Sequence, residues 1–448
     1  MAGGDGEESE LNAATSQSRP RSPSHAKLAL HDLCYALFVI VLLPIWLPRM
    51  IWRGKIRTDW PARLGRGATI ARTSRPRVLI HAVSVGEVNA IRGLVERLLL
   101  DRLQPEIVVS VTTDTGFARA QALFANRPEH AQGNRCSVVR TPFDFSFSVR
   151  NWLDRIRPDL LVLVELELWP NMTRLAAARA IPVVVVNGRL SERSVKRYRM
   201  VRRLVHGMFA RADLVLAQNR AYADRFAELG AGEVLVSGNM KWDSIAIRET
   251  VPGVEKLAQE MGIPLGAPLI VAGSTEPGEE ILLRDGLPPG VRLLIAPRKP
   301  EWFAGVAANL PGCVRRSAKE QGGADTRYYL LDTIGELSMA YALADVVVMG
   351  RSFGKLYGSD PIEPASLGRP VVIGPRVADF RDVVEAFVQG SGIIQISATE
   401  LAPTLAQLMA DPARRVEIAR HARIVIRAEQ GATSRTAEVL LAMLASRG

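Results

Sequence analysis

A carboxylate on a short loop after a buried apolar run can take a proton from an attacking hydroxyl. The segment His81-Ala82-Val83-Ser84-Val85-Gly86-Glu87-Val88 puts Glu87 in such a place, beside a glycine that lets the backbone approach a ligand closely. A second reading fits the same residues. Ser84-x-x-Glu87 is the spacing of a capping box, in which Glu87 only satisfies a backbone N–H. The two readings stand level on spacing alone.

Other segments carry the chemistry of anion and sugar binding. In Ala272-Gly273-Ser274-Thr275-Glu276-Pro277-Gly278-Glu279-Glu280, the Ser274 and Thr275 hydroxyls lie beside a small glycine at a helix start. That suits a phosphate oxygen, or an ordinary N-cap, and it is no Walker loop. Arg298 and Lys299 follow an apolar run directly, either to neutralise a phosphate or carboxylate or as a solvated surface pair. Gly350-Arg351-Ser352-Phe353-Gly354 reads as a flexible loop with a cation. Downstream, Asp360 reads as an N-cap, Pro361 as the first helical residue and Glu363 as the capping-box partner. Together these two segments look like a nucleotide pocket containing Gly354, with Glu363 available to a ribose diol. Glu165 and Glu167 follow the run Leu160–Val164, and share one face if the strand persists, where they suit a sugar's hydroxyls or a metal ion. Arg193, Lys196, Arg197, Arg199, Arg202 and Arg203 form a basic stretch. It is either a solvated helix face or a contact for anionic headgroups or a phosphorylated acceptor. Nucleic acid is disfavoured as a partner, because no aromatic interleaving or known motif accompanies it.

These residues need elements to hold them. Short β-branched runs alternate with amphipathic segments beyond residue 75. Candidate strands are Arg77–Val83, Glu106–Thr112, Leu160–Val164, Pro182–Asn187, Leu214–Ala217 and Glu233–Ser237, then Leu269–Ala272, Val291–Ala296, Tyr328–Leu331, Val346–Met349 and Val371–Gly374. Helical patterns such as Glu87–Leu100 and Gly278–Leu283 lie between neighbours. Buried parallel strands joined by helices make an α/β doubly wound sheet, whose ligands bind outside the strands' carboxyl ends. Pro252, Gly253, Pro264, Gly266 and Pro268 break the series, so two Rossmann-like domains facing a cleft are expected: 58–245 and 267–448, with a linker at 246–266.

Composition bounds the rest. Of 448 residues 48% are hydrophobic and 23% charged, as in a globular chain. Lys plus Arg number 57 and Asp plus Glu 46, and this net charge of +11 favours anionic partners. Three dispersed cysteines exclude a disulfide scaffold and fit a reducing compartment, and the six histidines show no metal-ligand spacing. Residues 1–28 are polar and expected to be a disordered tail. Leu33–Leu47 is wholly apolar or aromatic, interrupted by Pro44 and followed by Pro48 and basic residues. A secretory signal and a full span fit it less well than an N-terminal anchor helix, over 29–57, lying in or dipping into a bilayer. A buried core helix is the competing reading.

In order, HAVSVGEVNA, TTDTGF, RPDLLVLVELELWPN, VNGRLSERS, GNMKWD, AGSTEPGEE, APRKPEWF and DPIEPASLGRPVVIGP resemble the Kdo transferases of lipopolysaccharide assembly, glycosyltransferase family 30. The resemblance runs from about residue 30 to 390. It implies a GT-B fold and inverting transfer of 3-deoxy-D-manno-octulosonic acid (Kdo) from CMP-Kdo to a lipid A precursor, with no catalytic metal and no cofactor. The N-terminal domain would take the acceptor and the C-terminal domain the CMP-sugar, on the cytoplasmic face of the inner membrane and in contact with its lipids. Carried over by position, Glu87 matches the family's general base, Gly86 the glycine beside it and Glu165 a cleft glutamate. Arg298 matches a donor-binding arginine, Glu363 the acidic residue of the nucleotide pocket, and Ser274 and Thr275 the donor-side AGST. The chain departs from the pattern at Glu276-Pro277 (usually His-Glu), Lys299 (usually His) and Asp360 (usually Asn). Glu276 adds a negative charge near the donor phosphate, for Lys299 or Lys355 to offset. A transferase using a UDP-sugar, or a non-catalytic membrane-tethered nucleotide-binding module, is the alternative function.

Overall fold

The computed structural model describes residues 59–125 and 135–446, together with 31–33, 35–37, 39–41, 43–44 and 48. The polypeptide divides into two units. One comprises Met1–Ser244 with Gly431–Gly448, the other Ile245–Gln430.

The N-terminal unit is built on seven parallel strands: β1 (Arg77–Ala82), β2 (Glu106–Val111), β3 (Cys136–Arg140), β4 (Leu160–Val164), β5 (Val183–Gly188), β6 (Leu214–Ala217) and β7 (Glu233–Val236). Their order is β3-β2-β1-β4-β5-β6-β7. The central strands are apolar along their whole length because helices cover both faces; Val162, Val164, Val184 and Val186 turn to one side, Leu161, Leu163, Val183 and Val185 to the other. The chain runs outward from β1 to β3, then restarts at β4 on the other side of β1. The carboxyl ends of β1 and β4 therefore flank the topological switch point, where doubly wound sheets bind ligands. Glu87 follows β1 and Glu165 follows β4.

The C-terminal unit repeats the plan with β8 (Leu269–Thr275), β9 (Arg292–Pro297), β10 (Val314–Arg315), β11 (Tyr328–Leu330), β12 (Val346–Met349), β13 (Val371–Ile373) and β14 (Ile394–Gln395). The order is β10-β11-β9-β8-β12-β13-β14, all parallel, so its switch point lies between β8 and β12.

Three strands escape the sequence pattern. β3 is an edge strand with Ser137 and Arg140 in a five-residue run, and β10 and β14 are two residues each, too short for periodicity to register. The expected helix over Glu87–Leu100 is two, α1 (Val85–Ala90) and α2 (Arg92–Leu100), parted at Ile91. The division also differs from the expected 267–448. The last helix, α8 (Ala432–Ala445), belongs to the N-terminal unit, where Ala437, Leu440 and Leu444 join the core containing Leu94 and Leu98 of α2. Asp243 secures its start, accepting the Gly431 and Thr433 N–H groups at 2.6 Å each.

The expected tail and most of the 29–57 segment lie outside the described residues. Those described between 31 and 44 are helical. Asp32 accepts the Ser146 N–H at 2.8 Å and the Asn171 amide at 2.9 Å, and Tyr35 packs edge-on against Phe145. Leu33, Leu37, Ile40 and Val41, at i, i+4, i+7 and i+8, are exposed by 62–67%. Among the described residues no helix is long and apolar enough to cross a membrane.

Candidate active site

The capping reading of Glu87 is realised in modified form, with the Val83 N–H as the backbone donor. Ser84 is the N-cap of α1 and accepts the Glu87 N–H, while Glu87 Oε2 takes the Val83 N–H at 2.7 Å and Oε1 the Ser84 hydroxyl at 2.9 Å. The carboxylate is thus locked at the carboxyl end of β1. Burial pushes its pKa up to about 7, the Val83 hydrogen bond opposes this, and the charges of Glu165 and Glu167 add to the rise. A carboxylate tuned near neutrality holds a proton comfortably and gives it up easily, the property a general base needs.

Glu165 does not continue the strand. β4 ends at Val164 and Glu165 takes a left-handed conformation, φ 61°, with Lys241 Nζ 3.9 Å from its carboxylate. Glu167 accepts the Trp169 indole N–H at 2.8 Å. The two carboxylates therefore do not share a strand face, yet both press electrostatically on Glu87. His81, on β1 behind them, is fully buried and held neutral, its pKa driven down to about 4 by desolvation. Gly86 lies in the first turn of α1 with only the Ser84 hydroxyl near the place of a side chain.

In the C-terminal unit Ser274 and Thr275 are the last residues of β8, not caps. Helix α5 (Glu279–Asp285) starts after three intervening residues, behind Gly278 at φ 99°. Ser274 is left-handed at φ 57°, and the buried Thr275 Oγ1 has no hydrogen-bond partner, an acceptor-donor kept dry without a use inside the fold. The Arg298 N–H bonds to Thr275 O at 3.0 Å, which fastens Arg298 beside β8. Fully buried Tyr341 hydrogen-bonds Ser274, and its proton is held more tightly by burial and by the negative charges of Glu363 and Asp360, against the pull of Arg298. Ser274, Arg298, Asp360 and Glu363 are thus gathered around one phenol.

Asp360 Oδ1 accepts the Ile362 N–H at 3.0 Å. The N-cap of α6 (Ile362–Ser366) is Pro361, so the expected cap at Asp360 with Pro361 already helical is shifted by one residue. The Gly350–Gly354 loop is pinned rather than free. Glu279 accepts the N–H groups of Arg351, Ser352 and Phe353 at 2.8–3.0 Å, and that of Glu276 at 2.9 Å. Gly354 is required by a close approach, since a Cβ there would lie 2.6 Å from Glu276 Oε1. Glu276 itself is buried and accepts the Leu356 N–H at 3.0 Å, while Lys299 sits near Glu301 and over the Trp302 ring. Of the two cations expected to offset Glu276, Lys299 faces Glu301, and Glu276 is held by a backbone N–H.

The family model for 3-deoxy-D-manno-octulosonic-acid transferase (kdotransferase) matches residues 58–244. The 3-deoxy-D-manno-octulosonic acid transferase of Bordetella pertussis is 32% identical over 429 residues, covering 91% of this chain and 98% of that one. The chain belongs to the Kdo transferase family. The Kdo transferase of Haemophilus influenzae is 31% identical over 72% of this chain and 76% of its own. In fold, UDP-GlcNAc 2-epimerase from Neisseria meningitidis aligns with a TM-score of 0.55 over 82% of this chain and 99% of that one, at 15% identity. That likeness concerns the GT-B-like pair of parallel-sheet units alone. Membership makes the chain a glycosyltransferase. Three residues of this Kdo transferase site carry no assigned role in the sequence reading: Lys241, Glu279 and Tyr341. Lys241 and Glu279 lie inside the GNMKWD and AGSTEPGEE segments, but their partners are 76 residues away in Glu165 and 72–74 away in the 351–353 loop.

Proposed function

We propose that the chain transfers Kdo from CMP-Kdo to a lipid A precursor with inversion. The observation that carries this reading is Glu87, a locked carboxylate whose pKa is pushed up to about 7. The N-terminal unit supplies it to an acceptor hydroxyl. That oxygen forms the new bond to the anomeric carbon as the bond from that carbon to the CMP phosphate oxygen breaks; the hydroxyl proton passes to Glu87 and CMP leaves with the electron pair. Arg298 and the Ser274 and Thr275 hydroxyls meet the charge on the departing phosphate, and Glu363 the ribose. Gly86 gives the acceptor room, and Glu165 with Lys241 orders its hydroxyls. The exposed Leu33, Leu37, Ile40 and Val41 support contact with membrane lipid, on the cytoplasmic face of the inner membrane.

Mass spectrometry after incubation with CMP-Kdo and tetraacylated lipid A precursor tests the reading. A product heavier by Kdo residues is expected, with inhibition by CMP and not by UDP. Inhibition by UDP with no Kdo-bearing product would overturn it.

A further inference from the structure

The amino end of the C-terminal sheet, opposite the end carrying Ser274 and Gly354, holds a cavity of about 580 Å³. Asp345 precedes β12, Arg369 precedes β13, and the long helix α7 (Pro412–Glu429) supplies Arg415, Arg420, Arg423 and Arg427. Five guanidinium groups and one carboxylate line this space. That leaves an excess of four positive charges before Glu249 is counted, which stands 3.6 Å from Arg423 but is almost wholly in solvent.

The fold holds these cations in place rather than letting them disperse. Arg369 donates to the Ala342 and Ala344 carbonyls, and Arg415 to those of Leu408 and Met409, with Asp345 3.5 Å away. Gly368, at φ 71°, admits the Arg423 guanidinium to 2.7 Å of where a side chain would begin. Even so, Nε of Arg369 and Nε of Arg423 are buried with no hydrogen-bond partner. Burial opposes the charge on Arg369, Asp345 favours it, and the nearby Arg423 opposes it to a smaller degree. Clustered guanidinium groups with unused donors fit a multivalent anion, and planar guanidinium forks match the oxygens of a phosphate.

We propose that this cavity is a second anion site of the C-terminal unit, built for a phosphate group carrying two negative charges or a cluster of such groups. It is separate from the donor residues and does not depend on the reaction assigned to them. The exposed Val416 and Ile424 flank Arg420 on successive turns of α7, so the phosphate can arrive on a lipid headgroup or as a free compound.

The full-length chain is titrated calorimetrically with sodium pyrophosphate, and sedimented with phosphatidylcholine vesicles with and without phosphatidylglycerol. Arg420→Gln combined with Arg427→Gln, both at exposed positions, is compared with Arg414→Gln, which lies on the same helix outside the cavity. The double variant is expected to weaken pyrophosphate binding, or the increment that phosphatidylglycerol adds, at least about tenfold, with Arg414→Gln unchanged. Loss confined to pyrophosphate identifies a free phosphate compound, and loss of the vesicle increment a headgroup. Arg427→Glu alone repeats the test if the double variant does not fold. Wild-type binding of neither probe, or a double variant that binds like wild type, overturns the proposal.

Discussion

The Val83 amide and the Glu87 carboxylate are joined across 2.7 Å, so the residue ending the β1 loop holds the candidate base in the first turn of the next helix. The capping contact and the proposed catalytic position therefore share one side chain. Removing the carboxylate while keeping its shape separates the two. Glu87→Gln is expected to lower turnover by about 10²–10⁴-fold, the usual contribution of a positioned base, while CMP-Kdo binding stays within about twofold. Parallel measurement of transfer rate and donor affinity checks this; wild-type turnover would remove Glu87 from the chemistry.

The rate should climb with pH through about 7, as Glu87 loses its proton. Glu165→Gln or Glu167→Gln takes away a neighbouring negative charge that raises the Glu87 pKa. The acid limb of kcat is thus expected to move to lower pH in either variant, while remaining above 4.5 because burial is the larger cause. A limb that moved upward would contradict the assignment.

Stability carries the same signature with a definite sign. Native Glu87 stays protonated to about 7, whereas in the unfolded chain it ionises near 4.5, so the folded state binds the extra proton between these values. Folding stability from this group falls as pH rises through that window, by about 3 kcal/mol in all at 1.36 kcal/mol per unit. His81, driven down to about 4, acts oppositely: its contribution is lost as pH falls from 6.5. The difference between wild type and Glu87→Gln isolates the first effect. Urea unfolding at pH 5 and pH 8 should show the variant gaining on wild type at the higher pH.

Much of this arrangement is legible in the residues alone. Apolar runs followed by small or acidic residues mark the carboxyl ends of β1, β4 and β8, and those ends are where Glu87, Glu165, Ser274 and Thr275 stand. What escapes is long-range. Glu279 looks like a generic first-turn acid, and only the fold brings Arg351, Ser352 and Phe353 to it. The amphipathic pattern of α8 declares that it packs, but not on which unit.

Because Glu279 takes four backbone N–H groups, Glu279→Ala strands them in buried or part-buried surroundings. A loss of roughly 2–4 kcal/mol in stability is expected, with KM for the donor rising more than kcat falls. Calorimetric unfolding and steady-state kinetics read the two effects; an unchanged KM would detach the 350–354 loop from donor binding.

Leu37→Asp with Ile40→Asp places charges on exposed apolar positions and should release the chain from sedimented membranes without altering transfer to a detergent-dispersed acceptor. Unchanged sedimentation would shift attachment to the Arg193–Arg203 stretch.

The return of residues 431–448 to the first unit has a consequence during synthesis. The helix Ala432–Ala445 must be made before the N-terminal core can close over Leu94 and Leu98, so that half of the molecule, though begun first, waits for the whole of Ile245–Gln430 to be synthesised. A fragment ending at Ser244 lacks Ala437, Leu440 and Leu444, and would leave the apolar side of Leu94 and Leu98 uncovered.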